Sequence, residues 1–345
     1  ELVEDAKIFN EFINTDTFPE VPQSNRRMRR DPVPALYDMA YVDAEYIRTI
    51  LMTAYRKWLT TDDSFIILAK FLFPFFFRYK TVCDLNVSTL ENIQIQACTA
   101  IQNSTESKNI TLEKIIKYVL QFDDDVIFSN NLITRFEPPS SDHAKFILHH
   151  VESFLNPNRS TTFREHPYHF QNDLELEHVL PGSPKLNDTD PVNNWDKEKF
   201  FENYDYDEHK IIEKFEKWKV KLGNLTLLGN PANGYVSNYS FIKKRNFEKT
   251  VSGSLTKLGY NSSDLQLNKI TIMKIQDTDD DRDEWNTESI IERGTYLYEK
   301  CEEIWKLPEI FCTNIDCIKN TRPTKLTGKF SDVSIEKCSE KIGSD

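Results

Sequence analysis

The 345 residues hold no CxxC pair, no apolar run long enough to cross a bilayer, no internal repeat and no excess of positive charge. Each absence removes a class of protein. Disulfide scaffolds are short, secreted and cysteine-dense. Here six cysteines are spread over Cys83, Cys98, Cys301, Cys312, Cys317 and Cys338, which points to free thiols in a reducing cytoplasm. The last four of them match no usual zinc-ligand spacing. The longest apolar stretch, Phe65 to Phe77, is 13 residues and is interrupted by Lys70 and Pro74. A membrane span needs about 20 residues, so this stretch reads as a buried helix broken at Pro74. No secretory signal is visible, and the chain opens on Glu1 rather than Met, as a piece of a longer protein would.

The net charge is -12, which excludes a bulk polyanion binder. The charge is unevenly placed. Residues 1–170 carry 18 basic and 23 acidic side chains, residues 171–260 carry 13 and 14, and residues 261–345 carry 12 and 18. The middle segment is thus almost neutral, and any nucleic-acid contact has to come from a local patch.

Helical periodicity dominates the first half. Tyr46, Ile47, Ile50, Leu51, Ala54, Tyr55 and Trp58 recur at helical spacing. Further helices are expected over Ser88–Ile101, over Thr111–Leu120 with a Thr cap, and over Ser141–Phe154 beyond the Pro138-Pro139 break. Leu174 to Val179 alternates like a strand and is stopped by Pro181-Gly182. Ile211–Leu222 reads as a helix, Asn224–Leu228 as a short strand, Ser240–Thr250 as a basic amphipathic helix and Trp285–Trp305 as a last strong helix. Arg26, Arg27, Arg29 and Arg30 form a basic loop, and Asp277 to Glu284 an acidic one.

The chemistry concentrates in the middle segment. Glu177-His178 precedes Pro181. Asn224 opens the second strand, and Asn233 follows nine residues later. Hydrolysis of a phosphodiester needs an activated water and a way to neutralise charge on phosphorus. A histidine titrates near neutrality and suits a general base. Glu177 and Asn233 offer an anionic and a neutral oxygen to a hard cation. Asn224 can hydrogen-bond main chain on the opposite strand and hold the turn that aims His178. Neighbouring strand residues face opposite ways, so convergence of Glu177 and His178 requires an irregular backbone over 177–182. Lys243, Lys244 and Arg245 could clamp phosphates, whereas a solvated helix face is the plainer alternative for them.

The order EH-x-x-P, LGNLTLL and N-x-x-x-SN-x-x-F-x-x-K resembles the C-terminal HNH nuclease domain of GmrSD-type modification-dependent restriction enzymes. The likeness covers roughly residues 171–305. It extends upstream only as helical character and as Phe146-Ile147-Leu148-His149-His150-Val151-Glu152, which resembles the helix before the nuclease. The resemblance implies a ββα-metal fold with His178 as general base and Asn224 orienting it. Glu177 and Asn233 would be ligands to Mg²⁺ or Mn²⁺, and Asn238, Lys243, Lys244 and Arg245 would lie toward DNA. Lys244 in particular would meet a phosphate, and Phe241 would pack. The family's N-terminal ParB-like nucleotidase domain, with its DGQQR-type motif, is a possible partner not contained in this chain.

The expectation is therefore a mainly α protein. A helical domain (1–157) and a linker (158–172) precede an α+β HNH nuclease domain flanked by helices (173–305), and an irregular tail follows (306–345). The expected function is metal-dependent cleavage or nicking of DNA in restriction of modified phage DNA, with no membrane association. The alternative is a non-catalytic DNA-binding or helical interaction module on a degenerate HNH scaffold.

Overall fold

The computed structural model describes residues 45–58, 63–134, 137–138, 140–157, 174–182, 215–230, 232–275 and 281–307. The arginine loop at 26–30, the linker 158–172 and the tail from residue 308, with its three cysteines, lie outside the described residues. The molecule is mainly helical and carries two small antiparallel sheets of two strands each. It divides into two compact units, one within residues 1–125 and one spanning 126–305.

The first unit is a set of packed helices: α1 (Glu45–Trp58), α2 (Asp63–Phe76), α3 (Val87–Asn103) and α4 (Lys108–Leu120). Helix α1 buries Ile47, Ile50, Leu51, Ala54 and Trp58, one stripe at helical spacing. Helix α4 starts earlier than its Thr suggested, because Ser107 caps it by accepting from the Ile110 N–H.

Pro74 does not break the apolar helix. Helix α2 runs through it and continues as a π-helical stretch, Phe77–Val82, in which Cys83 N–H reaches the Arg78 carbonyl at 3.1 Å. A proline removes one N–H and crowds the carbonyl four residues back. The wider i→i+5 turns that follow give the chain slack. Burial holds it there: Phe71, Leu72, Phe75, Phe76 and Phe77 are all within 2% of full burial. Arg78, carried into this interior, is neutralised by Asp123 through two hydrogen bonds of 2.8 and 2.9 Å.

The second unit contains α5 from residue 126 onward (helix Asp125–Thr134), α6 (Ser141–Leu155), β1 (Leu174–His178), a 3₁₀ turn (Leu222–Asn224) and β2 (Leu225–Gly229). Then come α7 (Ala232–Val236), α8 (Phe241–Arg245), β3 (Glu248–Val251), β4 (Ser254–Lys257), α9 (Gln266–Ile272) and α10 (Thr287–Ile304). Strands β1 and β2 pair antiparallel, with Glu177 opposite Thr226 and His178 opposite Leu225. Helix α7 follows β2 and packs on both strands. A core of Val179, Leu180, Phe215, Leu228, Val236, Phe241, Tyr260, Trp285 and Ile290 ties these elements together. Helix α6 joins this unit through Glu152, whose buried carboxylate accepts from the N–H groups of Gln266 (3.1 Å) and Leu267 (2.9 Å). An anion at the first turn of α9 satisfies donors the helix itself cannot.

The basic helix expected over Ser240–Thr250 is a single turn and a half. It ends at Arg245, and residues 248–251 are strand. The cause is the turn that follows. Ser252 and Gly253 both have positive φ (52° and 84°), as a two-residue type I′ hairpin turn requires. That turn draws Glu248–Val251 into a ladder with Ser254–Lys257 and overrides helical propensity.

Gly223 sets how closely the 3₁₀ turn approaches α10. A Cβ there would run into the Ile290 carbonyl oxygen and lie 2.9 Å from Gly294 Cα, whereas one at Gly182 would meet open space. Gly223→Ala should therefore destabilise the protein by about 1–3 kcal/mol, as overpacking does. Gly182→Ala should be close to neutral. Denaturant unfolding of the two variants side by side checks this; equal stability would mean the turn and α10 can move apart freely.

Candidate active site

A buried amide shapes the site. The Asn224 side chain is fully buried and makes hydrogen bonds in four directions. Its Oδ1 accepts from Leu180 N–H (2.7 Å) and from the Trp285 indole N–H (3.0 Å). Its Nδ2 donates to the carbonyls of Leu180 (3.0 Å) and Lys219 (3.1 Å). The main chain adds Val179 N–H to the Asn224 carbonyl at 3.0 Å. Strand β1 is thus regular through His178 and is bent and clamped immediately after it, over 179–182. The expected irregularity begins two residues later than Glu177.

Regularity at 177–178 keeps the two side chains on different faces. The Glu177 carboxylate is nearly buried, and its Oε1 accepts from Lys244 Nζ at 2.6 Å and from the Tyr260 hydroxyl at 3.0 Å. The same Lys244 ammonium donates to the His178 carbonyl at 2.7 Å. Burial pushes the Glu177 carboxyl above its ordinary range, while the Lys244 charge, the two hydrogen bonds and the His178 N–H oppose that shift. Burial likewise lowers Lys244, and Glu177 opposes it. Tyr260 is held far above the usual phenol value by burial and by the neighbouring carboxylate, so it remains a donor.

The His178 imidazole is half-buried, and none of the described hydrogen bonds uses it. Burial depresses its pKa, and the charges of Lys244 and Lys219 depress it further. The ring is therefore neutral at neutral pH, with a lone pair available for a proton.

Asn233, on α7, turns its amide to strand β1. Its Nδ2 donates to Glu175 Oε2 at 2.8 Å and approaches the Leu176 carbonyl at 3.5 Å. Two acceptors on that side fix the amide's orientation, which leaves Oδ1 buried with no hydrogen-bond partner among the described residues. An orphaned amide oxygen beside a carboxylate is chemically what a hard cation takes. Among the described residues no three His, Cys, Asp or Glu side chains group as metal ligands. A cation here would depend on Asn233, on Glu175 or Glu177, and on oxygens from water and substrate.

Glu175 is absent from the residues read from sequence. Two positions before Glu177, it shares that residue's strand face and receives Asn233 and Asn230. The alternation of Leu174-Glu175-Leu176-Glu177 was the available signal. Of the cationic residues expected toward DNA, Lys244 is wholly buried and spent on Glu177 and His178. Arg245 is half-buried, donates to the Arg282 carbonyl and lies 3.7 Å from Asp283. Asn238 is exposed in the turn after α7, and Lys243 is half-buried, with its ammonium 3.8 Å from the centre of the Tyr239 ring.

Comparison with known families places this site in context. The family model described as GmrSD restriction endonucleases, C-terminal domain, matches residues 121–300, from the end of α4 through most of α10. No curated protein matches the chain.

Removing one member of a buried ion pair leaves the other charge without compensation, at a cost of about 3–5 kcal/mol. Lys244→Met should therefore destabilise strongly, and Lys244→Met combined with Glu177→Gln should recover much of the loss. A double-mutant cycle by urea unfolding tests this; additive effects would mean that the two groups do not interact.

Proposed function

Starting from the fact that this chain belongs to the family of GmrSD restriction endonuclease C-terminal domains, we propose that residues 126–305 form an HNH-type nuclease that hydrolyses a phosphodiester of DNA. The observation that carries the reading is the buried Oδ1 of Asn233, without a hydrogen-bond partner among the described residues, on the helix packed against the strand that bears His178. The family supplies the substrate class, DNA, and a role in restriction. The order of two antiparallel strands and a short helix packed on both is what a ββα-metal site uses.

In this reading His178 takes the proton from the attacking water. Its depressed pKa keeps it unprotonated, as a base must be. Asn224 does not touch substrate. It clamps Leu180 on both main-chain polar groups and so fixes the strand end from which the imidazole projects. Asn233 Oδ1, with the carboxylates of Glu177 and Glu175, would hold Mg²⁺ or Mn²⁺ on the strand face opposite the imidazole, so that the base and the ion would meet the scissile phosphate from the two sides of the strand end. The ion would supply positive charge to the phosphorane and the leaving oxygen. Glu177 Oε1 already accepts from Lys244 and Tyr260, so its other oxygen is the one that would face the ion. One such site cuts one strand, which makes nicking the elementary event. Coupling to a separate nucleotidase domain would set when it acts.

Supercoiled plasmid incubated with the full chain and Mn²⁺ or Mg²⁺ should relax to the nicked form. His178→Ala should slow this by about 100-fold or more, the usual contribution of a general base. Asn233→Ala should weaken Mn²⁺ binding measured by electron paramagnetic resonance with uncleaved DNA present. If wild type and His178→Ala leave the plasmid equally intact, the protein is a DNA-binding module on this scaffold and no enzyme.

The pH profile follows from the sign of the shift. A base with a lowered pKa is active above that pKa, so the rate should be level through neutrality and fall only below the ordinary histidine value of 6.5. A rate still climbing steadily from pH 7 to pH 8 would assign the base elsewhere.

A further inference from the structure

The hairpin β3–β4 is a two-stranded ribbon with little beneath it. Glu248, Lys249, Thr250, Ser254, Leu255 and Lys257 are all exposed, and Leu255 keeps 65% of its surface. An isolated two-stranded ribbon is marginal in water. It is anchored at its base, where the N–H groups of Leu258 (2.8 Å) and Gly259 (3.0 Å) both reach the Phe247 carbonyl. Phe247 also stacks on Tyr239, at 5.7 Å and 22°.

Two lysines are held against aromatic rings beside this ribbon. Lys249, on β3, lies 3.7 Å from the centre of the Tyr235 ring. Lys243, on α8, lies 3.8 Å from that of Tyr239. The ring quadrupole attracts an ammonium at this distance. Such contacts position the ammonium groups without neutralising them. No described ion pair engages either lysine, whereas Lys257 has Glu248 at 3.8 Å. Residues 238–259 hold five basic side chains and one acidic, in a chain of net charge -12, and four of the five remain once buried Lys244 is set aside. Tyr235 and Asn233 both belong to α7, the short helix packed on β1 and β2.

We propose that Lys243 and Lys249, posted on Tyr239 and Tyr235, contact the DNA backbone phosphates flanking the scissile one, and that the β3–β4 ribbon is the arm that carries the Lys249 contact beside α8. The proposal rests on the nuclease reading above. Phosphate contact fits better than base stacking, because both tyrosine rings are already engaged within the protein. It fits better than an acidic protein partner because the family that matches this unit is one of restriction endonucleases, whose substrate is DNA.

The test is equilibrium binding of the full-length His178→Ala chain to a short DNA duplex over a range of salt concentrations. It needs no cleavage, so it is independent of the enzyme reading. Lys243→Gln and Lys249→Gln should each weaken binding and each reduce the slope of log K against log salt by about 0.9, the counterion release of one phosphate contact. The double variant should lose about twice that. Circular dichroism checks that the folds match. Unchanged slopes, or no binding by the parent chain, overturn the proposal. So does a polyglutamate peptide that competes as well as DNA does, since the patch would then serve an acidic protein. Wild-type nicking with unchanged slopes would reject the arm and keep the nuclease. Altered slopes without nicking by the wild type would do the reverse.

Discussion

Everything at this site hangs on one buried amide. Asn224 presents two acceptor and two donor directions, and the fold fills all of them with groups from three places in the chain. Leu180 gives both of its main-chain groups, so the bend after β1 cannot shift without losing two hydrogen bonds at once. Lys219 is held in the segment leading to the 3₁₀ turn, and Trp285 before α10. A leucine or alanine would strand four buried polar groups, each costing about 1–3 kcal/mol. The constraint is directional as well as energetic, because it fixes where the strand stops and hence how His178 leaves it.

The second constraint is charge. Lys244 is as buried as any residue in the unit, and its ammonium bridges a side chain and a main-chain carbonyl of consecutive residues. It locks Glu177 to the end of the strand just where Asn224 locks Leu180. Arg293 does related work on the other side. It is fully buried, and its Nη1 donates to the carbonyls of Gly223 and Leu225 at 2.8 Å each, so the turn that presents Asn224 is held from α10. Burial pulls the Arg293 pKa down to about 9. Three buried polar anchors in so small a region are costly, and their cost is met by the aromatic core of Phe215, Phe241, Tyr260 and Trp285 around them.

Much of this could be read from sequence, for identifiable reasons. Helix α1 and the strand Leu174–His178 follow hydrophobic period, which is local. The spacing of Asn224 and Asn233 was legible because only the short strand β2 and one turn separate them, whereas the distance in sequence from His178 to Asn224 is set by no such constraint. The fate of Ser240–Thr250 was not, since helical propensity over Phe241–Arg245 is genuine and the decision lies with two positive-φ residues further on. Passage of α2 through Pro74 was hidden because aromatic burial, a tertiary effect, outweighed a local rule. Lys244 illustrates the same limit. A lysine in a basic run reads as solvated, and only the carboxylate waiting at 2.6 Å makes burial tolerable.

These placements bear on how a cation site could work here. Glu177 shares its charge with Lys244, so a divalent ion approaching it meets a pair that is close to neutral. Glu175 is half-buried, with both oxygens already accepting from asparagine amides. Asn233 Oδ1 has no hydrogen-bond partner among the described residues, but as a neutral oxygen it binds a hard cation weakly even with the second Glu177 oxygen beside it. On the proposed function, such a site gains full strength only when a phosphate oxygen of DNA joins it. The lysines at Tyr235 and Tyr239 would then contribute twice, by holding the backbone and by bringing that missing ligand to Asn233. A nuclease assembled this way has its metal site and its substrate site thermodynamically linked, so the ion raises the affinity for DNA by the same factor as DNA raises the affinity for the ion.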